Sequence, residues 1–263
     1  MIFFRAWDRP LRNFSLVAAC LAGFLLISCG ESSQRSPDVA SKAAPTKTVD
    51  PATAGTVSGR VWLSGKPPEL HAIDMSAEPA CAKAASVVPP VVVTDANNNL
   101  ANVVVYIKSG VSDYRFQPPT EDAKLTQKGC MYEPHVTALM TGQKLDVAND
   151  DPTTHNVFMM SQNNQPSNRS SQPGSAPIVE SLTAPELAIP VKCNVHPWMK
   201  GYVFVFDHPY FAVTQADGKF ELKGVPPGTY TLVAWHELYG SMQQTVTVTT
   251  PGASGGDFEF KAQ

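Results

Sequence analysis

An all-β fold, a sandwich or barrel, is what this sequence predicts, and three observations carry the prediction. β-Branched and aromatic residues fall in short alternating runs. Those runs are cut by Pro, Gly and Asn, in a chain of 263 residues with 23 Pro and 17 Gly. Beyond residue 56 no stretch sustains the 3.6-residue apolar period of a helix.

The elements follow in order. Val57 to Leu63 alternates and is stopped by Ser64-Gly65-Lys66-Pro67-Pro68. Val91 to Val93 and Val103 to Ile107 are β-branched runs bounded by Asn97 to Asn99 and by Gly110. Val136 to Met140, Lys144 to Val147, Val157 to Met160, Ile189 to Val191 and Tyr202 to Phe206 are further strands. Ser161 to Ala176 is rich in Asn, Gln, Ser and Pro and reads as a long surface loop. After Pro209 the pattern predicts tight hairpins. Phe211 to Thr214 turns through Asp217-Gly218 into Lys219 to Leu222, followed by Thr229 to His236, Thr245 to Val248 and Phe258 to Phe260.

The start of the chain reads as an export signal. Arg5, Arg9 and Arg12 precede Phe14 to Ile27, which is apolar apart from Ser15 and shorter than the ~20 residues of a membrane span. Leu26-Ile27-Ser28-Cys29 resembles a bacterial lipobox, which implies removal of residues 1–28, lipidation of Cys29 and attachment to a bilayer. Val17 to Cys20 fits the pattern too, but cutting there would leave apolar residues on the new end. Gly30, in place of an inner-membrane-retaining Asp, points to the outer membrane of a bacterial envelope, on its periplasmic or extracytoplasmic face. Residues 29–56 lack apolar periodicity and read as a disordered tether. Cleavage lowers Lys+Arg from 20 to 17 and Asp+Glu from 23 to 22, so the formal charge moves from −3 to −5. That balance excludes a nucleic-acid-binding surface of the basic kind.

Chemistry concentrates in Cys193 to Met199. Cys193, His196 and Met199 put a thiolate, an imidazole and a thioether in one loop, and His155 upstream is the candidate second imidazole. Two His, one Cys and a weak axial Met select copper for electron transfer. Structural zinc is disfavoured, since no Cys-x2-Cys occurs. A dinuclear copper centre lacks its second Cys, and no nucleophile signature surrounds Cys193, so no enzyme activity is expected. Taken singly, Cys193, Trp198 and Met199 are ordinary core residues; the combination is not. His71 reads as a surface residue and His135 as a structural one. His208 and His236 show no compact ligand spacing.

Two resemblances extend this. Asp217 to Leu232 resembles the carboxypeptidase-regulatory-like, or transthyretin-like, β-sandwich module, which implies fold and little about function. Glu133 to Asn149, Pro152 to Val157 and Cys193 to Gly201 resemble a cupredoxin of the amicyanin and plastocyanin kind. That implies a Greek-key sandwich with copper on His155, Cys193, His196 and Met199. It implies an N–H of Asn156 on the Cys193 sulfur, and His196 at the exposed end beside Pro197 and Trp198, where a partner docks. The expected organisation is a cupredoxin domain, 111–207, inserted into a sandwich made of 57–110 plus 208–263; a sequential order is the alternative. A copper ligand at Cys193 must be free, which leaves Cys81 with Cys130 as the expected disulfide, although sequence alone does not fix connectivity. The expected function is a membrane-anchored blue copper protein passing single electrons between redox proteins, a cytochrome or a dehydrogenase. The alternatives are a carbohydrate- or protein-binding envelope module, and copper delivery or sequestration.

Overall fold

The structure, a computed structural model, describes residues 45–83, 87–249 and 253–262. The expected signal (1–28), the lipidation site Cys29 and most of the tether lie outside the described residues. Among the described residues there are seventeen strands and no helix. In chain order they begin with β1 (Gly55–Ser64), β2 (Val104–Ser109), β3 (Ala123–Lys128), β4 (Met131–Glu133), β5 (Val136–Met140) and β6 (Lys144–Asn149). There follow β7 (His155–Met159), β8 (Ser167–Ser171), β9 (Ile178–Ser181), β10 (Glu186–Lys192), β11 (Lys200–Phe206) and β12 (Phe211–Val213). The last five are β13 (Lys219–Val225), β14 (Gly228–His236), β15 (Gly240–Val248), β16 (Ala253–Gly255) and β17 (Phe258–Lys261).

Four sheets form two sandwiches. In the first, β1 pairs antiparallel with β13 and parallel with β16 and β17, facing a sheet of order β12-β2-β14-β15. Its core includes Val57, Val61, Leu63, Val105, Ile107, Leu222, Leu232, Phe258 and Phe260. In the second, the order β5-β11-β10-β7-β8 faces β4-β3-β6-β9, around Leu125, Leu145, Val147, Val157, Ile189, Val203 and Val205. The first sandwich thus takes its strands from both ends of the described chain, the second from the middle.

A third apolar layer joins them. Side chains alternate across a strand, so β2 sends Val105 and Ile107 into its own sandwich and Val104 and Tyr106 outward. β11 likewise sends Val203 and Val205 inward, and Phe204 and Phe206 outward. The outward sets meet, with Val136 and Val233, and aromatic rings lock them: Tyr106 to Phe206 at 5.0 Å and Phe204 to Trp235 at 4.9 Å between centroids. Burial on both faces explains why Val103 to Ile107 and Tyr202 to Phe206 are unbroken apolar runs rather than alternating ones.

Four expectations are corrected. Asp217-Gly218 does not close a hairpin: β12 pairs with β2 and β13 with β1, so the turn carries the chain from one sheet to the other. After Pro209 the tight hairpin is instead β14–β15, paired from Gly228↔Val248 to His236↔Gly240. Val91 to Val93 is not a strand; the adjoining Thr94 forms only a bridge to Leu100. The loop expected over Ser161 to Ala176 contains β8, a polar edge strand paired only with β7. The end of the expected tether is docked, with the N–H groups of Thr46 and Lys47 donating to the Asp113 carbonyl at 3.1 and 2.9 Å.

Two buried histidines differ in place: His135 lies beside this seam, and His236, at the end of β14, turns into the first sandwich with its ring 4.8 Å from Tyr239 and 6.1 Å from Phe260. His135 Nε2 contacts the Glu237 carboxylate in the turn after β14. His236 is fully buried; its Nδ1 accepts the Leu238 N–H at 3.2 Å and its Nε2 has no hydrogen-bond partner. Burial holds its imidazole at about 4, with Glu237 opposing and His135 adding to the fall. The folded state therefore resists a proton that the unfolded chain accepts near 6.5. Stability from His236 is complete above about pH 6.5 and is lost as pH falls towards 4, by up to about 3 kcal/mol. Urea midpoints measured from pH 7.5 to 4.5 should fall more steeply in the parent than in His236→Asn; equal slopes would remove His236 as the cause.

Candidate metal centre

The ladder between β10 and β11 closes at Lys192↔Lys200, so Cys193 to Met199 form one closed loop. Inside it the Cys193 N–H donates to the Met199 carbonyl at 3.2 Å, the Met199 N–H to the His196 carbonyl at 3.0 Å, and the His196 N–H to the Cys193 sulfur at 3.3 Å. β10 also pairs with β7, through Lys192↔Phe158. That pairing brings His155, the first residue of β7, beside the loop.

Three donors converge there. His155 Nδ1 and His196 Nδ1 are 2.9 Å apart, and the Cys193 sulfur is 3.7 Å from His196 Nδ1. The three residues are 0, 2 and 4% exposed in the order His155, His196, Cys193, and Cys193 is the one free cysteine among the described residues. Two nitrogens about 2.0 Å and a sulfur about 2.3 Å from one ion, at angles near 100–120°, would stand about 3.1–3.5 Å (N to N) and about 3.3–3.7 Å (N to S) apart. The donor set fits a metal. Met199 is fully buried in the same core as Cys193. The Asn156 N–H donates to the Cys193 sulfur at 3.3 Å, and the Asn156 side-chain oxygen accepts the Asn194 N–H at 3.3 Å, tying the two ligand segments together.

The outer ring nitrogens meet carboxylates. His155 Nε2 lies 2.8 Å from Asp151 Oδ2. Asp151 also accepts the N–H of Gly129 at 2.7 Å and of Cys130 at 2.8 Å. Those two residues form a tight turn with φ of +60° and +58°. Cys130 is bridged to Cys81, so its sulfur is no donor, although it lies close to Asp151 and His155. His196 Nε2 has no hydrogen-bond partner and stands 3.8 Å from Glu78 Oε2. The expected exposed position of His196 is corrected here: the residue is 2% exposed, with Glu78 beside its Nε2 and the Trp198 ring tilted against it at 5.2 Å. Pro197 is exposed and Trp198 half-buried, with the indole N–H donating to the Cys130 carbonyl at 3.1 Å.

The electrostatics favour a thiolate. Burial pushes the Cys193 thiol up, yet contacts with His155 and the N–H groups of His196, Asn156 and Val195 outweigh it, and the net shift is down. Burial pulls His155 down, but the Cys193 sulfur and the Asp151 carboxylate reverse that and raise it. His196 is lowered by burial and by the charge on His155.

Of the other histidines, His71 is exposed. His135 sits at the seam, His236 faces the first sandwich, and His208 is buried with its Nδ1 accepting the Tyr210 N–H at 3.1 Å. Sequence reasoning missed Asp151, Glu78 and Tyr132, whose hydroxyl donates to the carbonyls of Asn156 and Lys192 at 2.5 and 3.0 Å. A carboxylate four residues before His155 was the one legible signal; nothing local marks Glu78.

Comparison with known proteins adds the following. A family model described as polysaccharide lyase family 4, domain II, matches residues 188–255. No curated protein matches the chain. Among solved structures, a copper-containing nitrite reductase from Thermus scotoductus SA-01 is similar at 19% identity over 35% of this chain, with a TM-score of 0.32. This chain spans only 26% of that reductase. A purple cupredoxin from Nitrosopumilus maritimus is similar at 21% identity over 32% of this chain and 99% of its own, with a TM-score of 0.28. Amicyanin from Paracoccus versutus is similar at 15% identity over 38% of this chain and 96% of its own, with a TM-score of 0.29.

Proposed function

We propose that the chain is a type 1 copper protein that carries single electrons between redox proteins of a bacterial envelope. The observation that carries this reading is the buried meeting of His155 Nδ1, His196 Nδ1 and the Cys193 sulfur. Thiolate and imidazole donors select copper over hard cations, and Met199 stands in the same core as the fourth, axial candidate. Copper held there supplies reversible one-electron chemistry. The chain's own part is to keep the donors fixed: Asn156 holds the sulfur, Asp151 holds His155, and the Lys192↔Lys200 pair closes the loop. A rigid donor set suits a carrier rather than a catalyst. On the same reading, residues 111–207 form the copper domain, inserted into the sandwich of 57–110 and 208–263, and lipidated Cys29 holds the chain at its membrane.

Delivery of copper to another protein is favoured less, because the donors are buried rather than presented. Loading with Cu(II), followed by visible absorption and EPR, tests the proposal. An intense thiolate-to-copper band with a narrow hyperfine splitting is expected, abolished in Cys193→Ser and altered but retained in Met199→Gln. A colourless, copper-free product would overturn it.

A further inference from the structure

Between β1 and β2 the chain leaves the first sandwich and crosses to the second. There Met75 and Cys81 are buried in the core that holds Cys193 and Met199, and Ile73 packs against it. One end of this segment is closed by the Ile73 N–H donating to the Val87 carbonyl at 2.8 Å. The other is fastened by the disulfide from Cys81 to Cys130. At its crest Glu78 reaches to 3.8 Å from His196 Nε2, the buried ring nitrogen without a hydrogen-bond partner. Val195 and Pro197 on either side of His196 are exposed, while His196 itself is covered. The cover therefore comes in part from a distant segment of the chain, which meets His196 at Nε2, and in part from Trp198 of the ligand loop, whose ring lies 5.2 Å from the imidazole.

We propose that Ile73–Lys83 is a lid over the metal pocket, fastened by Cys81–Cys130 and latched by Glu78 at His196. Metal ions and small thiol reagents reach Cys193 and His196 only when it lifts. A redox partner then meets the lid and the Val195–Pro197 rim rather than a bare imidazole edge. The part of this concerning metal traffic rests on the copper reading; the enclosure of Cys193 does not. Local opening of such a segment costs less than global unfolding, so reagent access reports the lid directly.

The test uses the full chain without metal, carrying Cys20→Ser and Cys29→Ser so that an aromatic disulfide reagent reads Cys193 alone. Labelling should be slow in the parent, about threefold faster in Glu78→Ala and about tenfold faster in Met75→Ser, which loosens the lid with the disulfide intact. Cys81→Ala with Cys130→Ala should be faster again. Circular dichroism would confirm that each variant remains folded. Should the doubly substituted chain unfold, the Glu78→Ala and Met75→Ser rates decide. Parent labelling as fast as in urea, or folded variants no faster than the parent, would overturn the lid. In the copper-loaded chain, extraction by a chelator should accelerate in the same order. Slow labelling of a chain that takes up no copper would keep the lid and refute the copper reading; rapid labelling of a chain that forms the blue band would do the reverse.

Discussion

Replacing Cys81 and Cys130 together with Ala is expected to lower the stability of the folded chain by about 4 kcal/mol, from the entropy of closing a loop of this length in the unfolded state. The two cysteines are 49 residues apart in sequence. Both are buried, so the lost sulfur contacts add to the entropic loss rather than offset it. Urea unfolding is the measurement. With a slope of about 2–3 kcal/mol per molar, the midpoint should fall by about 1.3–2 M. A shift below 0.3 M would mean that the reduced chain is already confined, and that the cross-link does little beyond holding the lid. Single substitutions should cost about as much as the double one, because either alone opens the loop and the second removes only a buried thiol.

How far the sequence discloses this molecule depends on how local each feature is. Phe258 to Phe260 was legible because Phe258 and Phe260 fill its inward positions, and Val136 to Met140 because Val136, Leu139 and Met140 are buried over its two faces. β3 escaped notice because one of its two fully inward positions is Gln127, whose amide reaches the Asn156 carbonyl instead of packing as hydrocarbon. β8 escaped because an edge strand with most of its residues exposed has no apolar alternation to show. The Asp217-Gly218 pair announced a reversal correctly, but a reversal does not say which sheet the next strand joins. The same divide runs through the site. Cys193, His196 and Met199 share one loop, so their spacing already implied convergence, and His155 was found by its own segment. Glu78 arrives on the crossing between β1 and β2 and left no mark in the local sequence. Together with Trp198 it reverses one expectation, the exposure of His196.

Asp151→Ala should show how much of the site depends on a residue that would touch no metal. Its carboxylate accepts from Gly129 and Cys130 and meets His155 Nε2, so truncation strands two N–H donors beneath the disulfide turn and frees the ring. Each buried group left without a partner costs about 1–3 kcal/mol, so two of them predict a loss of about 2–6 kcal/mol in the metal-free chain. Copper affinity should fall by about 10–100-fold in a competition titration, since a ligating imidazole depends on the partner of its other nitrogen. Asp151→Asn separates the two effects. Oδ2 accepts both from the Cys130 N–H and from His155 Nε2, so an amide oxygen in that place keeps both contacts, while the amide NH2 meets the Gly129 N–H and strands it. The stability loss should therefore fall to that of one unpaired donor, about 1–3 kcal/mol. The proton stays on His155 Nε2 and Nδ1 stays free to bind, so copper affinity should fall much less than in Asp151→Ala. If Asn lowers copper affinity as far as Ala does, the negative charge of Asp151, and not its hydrogen bond, is what supports His155.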